Sequence, residues 1–185
     1  KTGTYADIFP EVLDAVKGQV HTDVGFHLAP MTAGQVDEVG SLVRNHGIPS
    51  YKYYMFYKGF NLAPNSRDSK AFTMSEEYDL GHLFSIMESV SAAQKENPQT
   101  RVSLSLHCEQ SELMRLFIDR VQTNGSPQNL KAYSDGRPPL TEEVAIGEAT
   151  TLAAAAGTNI NLLHISSGPA LNAARRARVT YPDTD

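Results

Sequence analysis

Strand-like and helix-like runs alternate along the whole chain, and that alternation limits the architectures open to it. Residues 22–28, 50–58, 102–107 and 160–165 are short runs bounded by turn residues, and the second is strongly aromatic (Ser50-Tyr51-Lys52-Tyr53-Tyr54-Met55-Phe56-Tyr57-Lys58). Between them apolar residues recur at helical spacing: Ile8, Val12, Leu13 and Val16; Val36, Val39, Leu42 and Val43; Leu80, Leu83, Phe84, Met87 and Val90; Leu113, Leu116, Phe117 and Val121; then an alanine-rich stretch up to Gly157, and Leu171, Ala174 and Ala177. The order reads αβαβαβααβα. Strands that alternate with helices predict a parallel sheet with right-handed crossovers. Four strands satisfy either an open sheet or half of a barrel, and the pattern alone does not separate the two.

The punctuation supports these boundaries. Pro10 is expected near the first turn of the first helix, where its missing N–H costs little. Thr32 and Gln35 form a capping-box pattern. Gly47 followed by Pro49, Asn97-Pro98, Asn124-Gly125 and Gly157 are stop signals. Thr141, and Ser166 or Ser167, are the expected caps of the last two helices. Residues 59–77 and 126–140 read as loops, and a loop as long as the first is usually functional or mobile.

With 185 residues, 41% hydrophobic and 20% charged, the chain is expected to form a single domain, 1–185, with a real core. A net charge of −5 gives no electrostatic reason to expect nucleic acid or an anionic membrane as partner. Cys108 is the only cysteine, so no intrachain disulfide is possible, and a reducing, cytoplasmic setting is expected. No apolar run of spanning length and no signal peptide is visible. The chain begins at Lys1 without a methionine and stops at Asp185 after a helical stretch. A complete eight-unit barrel takes roughly 250 residues, so a fragment is the expectation.

Three residues carry the chemical signal. Two strand-like runs end in histidine, at His107 and His164. Carboxyl ends of parallel strands face the active site in α/β folds. A single histidine there is more often structural; repetition in successive units favours ligands, because neutral imidazole keeps a lone pair at pH 7. Lys52 lies inside an apolar strand, where burial favours the neutral amine. A neutral amine can capture carbon dioxide as a carbamate, an anion able to bridge two divalent ions. The plainer alternative is that Lys52 snorkels or pairs with a carboxylate. Tyr57 would face away from Lys52 if the strand continued, and would reach the same site if the chain turned first. Its plainer reading is a core or rim aromatic.

At these residues the chain resembles the cyclic amidohydrolases, above all dihydropyrimidinase and D-hydantoinase, with allantoinase and dihydroorotase as cousins. Phe26-His27 resembles the third barrel strand of that family. Ser50-Tyr51-Lys52 through Met55, Tyr57 and Lys58 resembles its carboxylated-lysine strand. His107-Cys108-Glu109, Arg137-Pro138-Pro139 with Glu142, Glu143 and Glu148, and Leu163-His164-Ile165-Ser166 follow in the family's order. The resemblance implies a partial (β/α)8 TIM barrel of the metal-dependent hydrolase type, about four parallel strands, corresponding to strands three to six. It implies two divalent metal ions, usually zinc, bridged by Lys52 as N6-carboxylysine, with His107 and His164 on the second metal. Tyr57 would hydrogen-bond the oxyanion as a cyclic amide opens. A small-molecule cyclic amide substrate and a homo-oligomer, often a tetramer, are implied as well.

The departures are specific. The family's first metal site uses a His-x-His pair, which this sequence lacks, and an aspartate from strand eight. Phe56 stands where a small residue is common, and the loop 59–77 is longer than usual. The leading expectation is therefore the central part of an enzyme that opens a hydantoin or dihydropyrimidine ring, inactive in isolation. The alternatives are a non-catalytic dihydropyrimidinase-like scaffold, a dihydroorotase- or allantoinase-type substrate, or a plain α/β binding domain without metal.

Overall fold

In the computed structural model, residues 3–58, 77–125 and 129–182 are described. The chain runs α1 (Tyr5–Val16), β1 (His27–Leu28), α2 (Ala33–Asp37), α3 (Val39–His46), β2 (Ser50–Tyr54), a 3-10 turn (Met55–Tyr57), α4 (Leu80–Glu96), β3 (Ser103–His107), α5 (Ser111–Thr123), α6 (Leu130–Asp135), α7 (Pro139–Ala156), β4 (Ile160–Leu162) and α8 (Gly168–Thr180). All strand pairs are parallel, and the strands lie in the order β1-β2-β3-β4.

That order decides between the two architectures the sequence leaves open. Right-handed crossovers that step always in one direction place every connecting helix on the same side of the sheet. A doubly wound sheet reverses direction at a switch point and covers both faces. This sheet does not reverse, so it is an arc of a barrel with helices outside. The packing agrees. Tyr51, Tyr53, Leu104 and Leu106 are at most 1% exposed and share a core with Val39, Leu42, Leu83, Ile86, Met87, Val90 and Ile146 from the helices. Each large apolar side chain buried there contributes about 1.5–3 kcal/mol of transfer free energy. Buried alanines (Ala149, Ala153, Ala170, Ala173) let α7 and α8 approach closely.

Helix ends follow the local chemistry. Thr4, Thr32, Asp79, Gln110, Asn129 and Ser167 each accept a hydrogen bond from the backbone N–H three residues on. Gly47 and Gly157 close α3 and α7 in the left-handed conformation, with φ of 62° and 64°.

Several boundaries differ from expectation. The helix expected after Thr32 is two helices, broken at Glu38, whose carboxylate accepts from the N–H groups of Tyr5 (2.6 Å) and Ala6 (2.8 Å) at the start of α1. Pro10 lies inside α1 rather than in its first turn. The loop expected over 126–140 contains α6, which buries no residue and therefore shows no apolar periodicity in the sequence. Helix α7 starts at Pro139, with Pro138 as its cap, so Thr141 sits in its first turn. The outer strands are shorter than expected: β1 covers only His27–Leu28 of 22–28, and β4 only Ile160–Leu162 of 160–165. Most of the expected 59–77 loop lies outside the described residues.

Candidate functional site

The residues that alternate with the core form the opposite face of the same strands. On β2 these are Ser50, Lys52 and Tyr54; their neighbours on β3 are Ser103, Ser105 and His107. Asn161 on β4 sits beside Ser105, and His27 on β1 beside Ser50. Polar contacts knit this face: His27 Nδ1 lies 2.7 Å from Ser50 Oγ, and Asn161 Nδ2 donates to Ser103 Oγ (3.2 Å) and Ser105 Oγ (3.4 Å).

Lys52 is on this face, yet only 6% of it is exposed. No carboxylate pairs with it among the described residues. Its amine lies over the Tyr54 ring, 4.7 Å from the centroid. Burial pulls its pKa below the usual lysine range, against a smaller upward pull from Cys108. Cys108 is itself buried, and burial pushes its thiol up to about 12, so it stays protonated. His27 is shifted down by burial and by the Lys52 charge.

The two histidines meet. Their ring centroids are 4.3 Å apart, edge to face. His107 ends β3 on the open face by simple alternation. His164 reaches that position differently. Leu163 N–H still bonds to Leu106 O (3.1 Å), so the ladder runs one residue past β4. A straight continuation would turn His164 toward the helices, with Ile160 and Leu162. Instead His164 takes a φ of 36°, the one non-glycine with positive φ among the described residues. Such a conformation costs of order 1–3 kcal/mol and persists where the surroundings enforce it. Two residues on, the chain is anchored to Glu142 on α7, 8% exposed, which accepts from Ser166 N–H (2.8 Å), Ser166 Oγ (3.2 Å) and Ser167 Oγ (2.9 Å).

Tyr57 stands on the same rim. The 3-10 turn takes the chain out of the strand directly after Tyr54, and Tyr57 stacks on Tyr54 at 4.7 Å. Tyr54 is also 6.0 Å from the His107 ring. Lys52, Tyr57 and His107 therefore all neighbour Tyr54, a residue whose central place the sequence does not announce. Burial and the neighbouring Tyr54 raise the Tyr57 pKa above the ordinary phenol value, and Arg137 opposes this. At neutral pH Tyr57 is thus a proton-bearing donor.

An open cavity of about 490 Å³ lies above the histidines, lined among others by His107, Glu109, Arg137, Glu142, His164 and Ser166. Glu109 and Arg137 were visible in the sequence only as parts of motifs. In the structure His107 Nε2 is 2.6 Å from Glu109 Oε2, and Arg137 Nη1 donates to the same oxygen at 3.0 Å. Burial raises the Glu109 pKa, but the bond from His107 and the Arg137 charge outweigh it and hold the carboxyl below its ordinary value. The signal that could have revealed this face is the period-two recurrence of polar residues inside otherwise apolar strands: Ser50, Lys52; Ser103, Ser105, His107.

Among the described residues, no three His, Cys, Asp or Glu side chains gather as a cage for a metal. Two adjoining imidazoles need a further donor. Lys52, on the same face and without a carboxylate partner among the described residues, is the candidate: a buried amine held toward its neutral form is the species that can take up carbon dioxide and become an anionic oxygen ligand. Among the described residues no helix is long and apolar enough to cross a membrane.

Comparisons with known proteins agree with this fold. No protein-family model matches the sequence. Over 89 residues, 48% of this chain and 19% of the relative, the sequence is 32% identical to an allantoinase of Solibacter usitatus (strain Ellin6076). The structure superposes on a crystal structure of D-hydantoinase with a TM-score of 0.72 at 20% identity, covering 97% of this chain and 34% of that one. It superposes on dihydropyrimidinase from Brevibacillus agri NCHU1002 with a TM-score of 0.69 at 21% identity, covering 93% and 33%. The chain therefore spans about a third of the length of the solved structures it resembles. It has their barrel fold over that third, and together with the allantoinase similarity this fits a section of a cyclic amidohydrolase.

Proposed function

We propose that the protein containing this chain hydrolyses a C–N bond in a small cyclic amide, opening a hydantoin or dihydropyrimidine ring. Residues 1–185 would form the central part of its catalytic barrel, strands three to six. One observation carries the reading: two imidazoles 4.3 Å apart sit beyond neighbouring strands, on the face that also carries a buried amine with no carboxylate partner among the described residues. Similarity to allantoinase, and the fold shared with D-hydantoinase and dihydropyrimidinase, support the substrate class.

The roles follow from the placement. Lys52, as N6-carboxylysine, would bridge two divalent metal ions, zinc being the fitting choice for nitrogen and carboxylate-type donors. His107 and His164 would hold the second. When bound, such ions lower the pKa of a water and polarise a carbonyl, which suits amide hydrolysis at neutral pH. Tyr57 keeps its proton and would donate to the amide oxygen as negative charge grows there. Tyr54 keeps water from the lysine and supports the Tyr57 ring. Glu142 would anchor the chain two residues past His164. The cavity over His107 and His164 gives a ring-sized ligand access from solvent.

The test is Lys52→Ala in the full-length protein, read by zinc content and by hydantoin and dihydropyrimidine turnover. The expected result is turnover at background and zinc lost, with the fold intact by circular dichroism. Retained zinc and turnover would overturn the reading.

A further inference from the structure

The carboxyl end of β3 carries an arrangement that the proposed hydrolysis does not itself use. Glu109 lies just past His107, with Oε2 2.6 Å from His107 Nε2. Arg137 braces the same carboxylate from the residue before the cap of α7, donating from Nη1 to Oε2 at 3.0 Å and to Oε1 at 3.4 Å. The Arg137 guanidinium is itself held over the rings of Tyr133 (4.8 Å) and Phe56 (5.6 Å). The side chains are 15% exposed for Glu109 and 27% for Arg137, so solvent competes little for the pair. The loop backbone is tied down as well, since Gln110 N–H bonds to Thr141 O (2.9 Å).

A structural ion pair needs only Arg137 and Glu109. Here the acceptor oxygen is shared with an imidazole that also packs against His164. A neutral imidazole that gives its Nε2 proton to a carboxylate keeps its lone pair on Nδ1. We propose that Glu109, braced by Arg137, is a positioning residue that locks His107 as the Nε2–H tautomer, leaving Nδ1 as its metal-binding atom. The metal half of this statement rests on the function proposed above; the tautomer half does not. Partners of this outer kind fix ring orientation and ligand basicity, and removing them typically weakens metal binding about 10–100-fold.

The experiment uses the full-length protein and two readouts. The first is nitrogen-15 NMR of labelled histidine in the metal-free protein, with His107→Asn identifying the resonance. The second is zinc affinity by competition with a chelator. The wild type should show His107 as Nε2–H. Glu109→Ala should give mixed tautomers and zinc binding weakened about 10–100-fold. Glu109→Gln, whose amide oxygen still accepts the proton, should stay within a few-fold of wild type. Arg137→Ala keeps the acceptor and loosens it, so its tautomer should be partly mixed; it serves also if Glu109→Ala does not fold. An Nδ1–H wild type, or Glu109→Ala indistinguishable from wild type in both readouts, overturns the proposal while leaving zinc binding by Lys52 and the histidines intact. A protein that binds no zinc, yet shows the locked tautomer and its release in Glu109→Ala, upholds Glu109 and defeats the metal reading instead.

Discussion

The two faces of the sheet are built from alternate residues of the same strands, and they do opposite things. On the helix side Tyr51, Tyr53, Leu104 and Leu106 are sealed from water and meet apolar side chains. Their hydroxyls are satisfied by backbone: Tyr51 donates to Val39 O and Ile48 O, both at 3.1 Å, and Tyr53 to Asp79 O at 2.8 Å. On the other side Lys52, Ser105, His107 and Asn161 present an amine, a hydroxyl, an imidazole and a carboxamide. The first face supplies folding free energy; the second holds groups that cost free energy to bury and have chemistry to offer. One strand can serve both purposes because its side chains alternate with a period of two. A one-residue slip would exchange them, so the large apolar residues also fix the register that assembles the polar set.

Substitutions should separate the two faces, and the largest effect is expected on the covered one. Leu106→Ala should lower stability by about 2–5 kcal/mol in urea unfolding, the range for a truncated leucine in a packed core. If the loss is under about 1 kcal/mol, the helix side is not a tightly packed core. On the open face Tyr57→Phe should lower kcat by about 10²–10³-fold, the scale of one lost oxyanion donor, with little change in stability. Equal turnover would take Tyr57 out of the chemistry and leave it as a stacking partner of Tyr54. Ser105→Ala sits next to Leu106 but points the other way. Among the described residues its hydroxyl receives just a long bond from Asn161, so its stability cost should be about 1 kcal/mol or less by the same unfolding measurement.

The smallest effect concerns pH and the helix side. Glu112 and Glu148 line a cavity there of about 220 Å³ and are shifted in opposite directions. Burial raises the Glu112 pKa, but bonds from Ser111, its own N–H, Lys58 and Gln110 outweigh it and bring it to about 2. A carboxyl lowered on folding adds stability above its ordinary value of 4.5, and that stability disappears as pH falls toward about 2. Glu112→Gln should therefore flatten the acid limb of a stability–pH curve. Glu148 is raised, first by burial and then by Glu112, and its Oε2 has no hydrogen-bond partner among the described residues. Its charged form weakens the fold as pH rises past 4.5, so Glu148→Gln should raise the melting temperature at pH 7 and leave it unchanged well below pH 4.5. A Glu112→Gln curve parallel to wild type would show that these bonds do not form in solution.

Much of the fold was legible because it is local. The 3.6-residue spacing of Leu83, Met87 and Val90 reports a buried helix face, and each residue is fully covered. Helix α6 was not legible, since a helix that buries nothing leaves no apolar rhythm. The divided helix at Glu38 was hidden for a related reason: the apolar spacing continues through the break, while its cause is a carboxylate reaching the start of a distant helix. In the candidate site, Lys52 drew notice as a charge in an apolar run, and His107 and His164 as repeated strand ends. Glu109 and Arg137 passed as motif letters, because a partnership across the fold has no signature in local spacing.

By itself the sequence determined the alternation of strands and helices, the two-residue rhythm that divides each strand into an apolar and a polar side, and the identity of the amine and imidazoles at the rim. The tertiary structure alone decided that the strands follow one another without reversal, so that helices cover one face and leave the other open. It also decided that His164 meets His107. Alternation along β4 would have turned His164 away; a positive φ brings its ring to 4.3 Å from that of His107. The physical reason is range. Periodicity records what each segment buries, whereas strand order and the convergence of side chains depend on contacts between residues far apart in the chain.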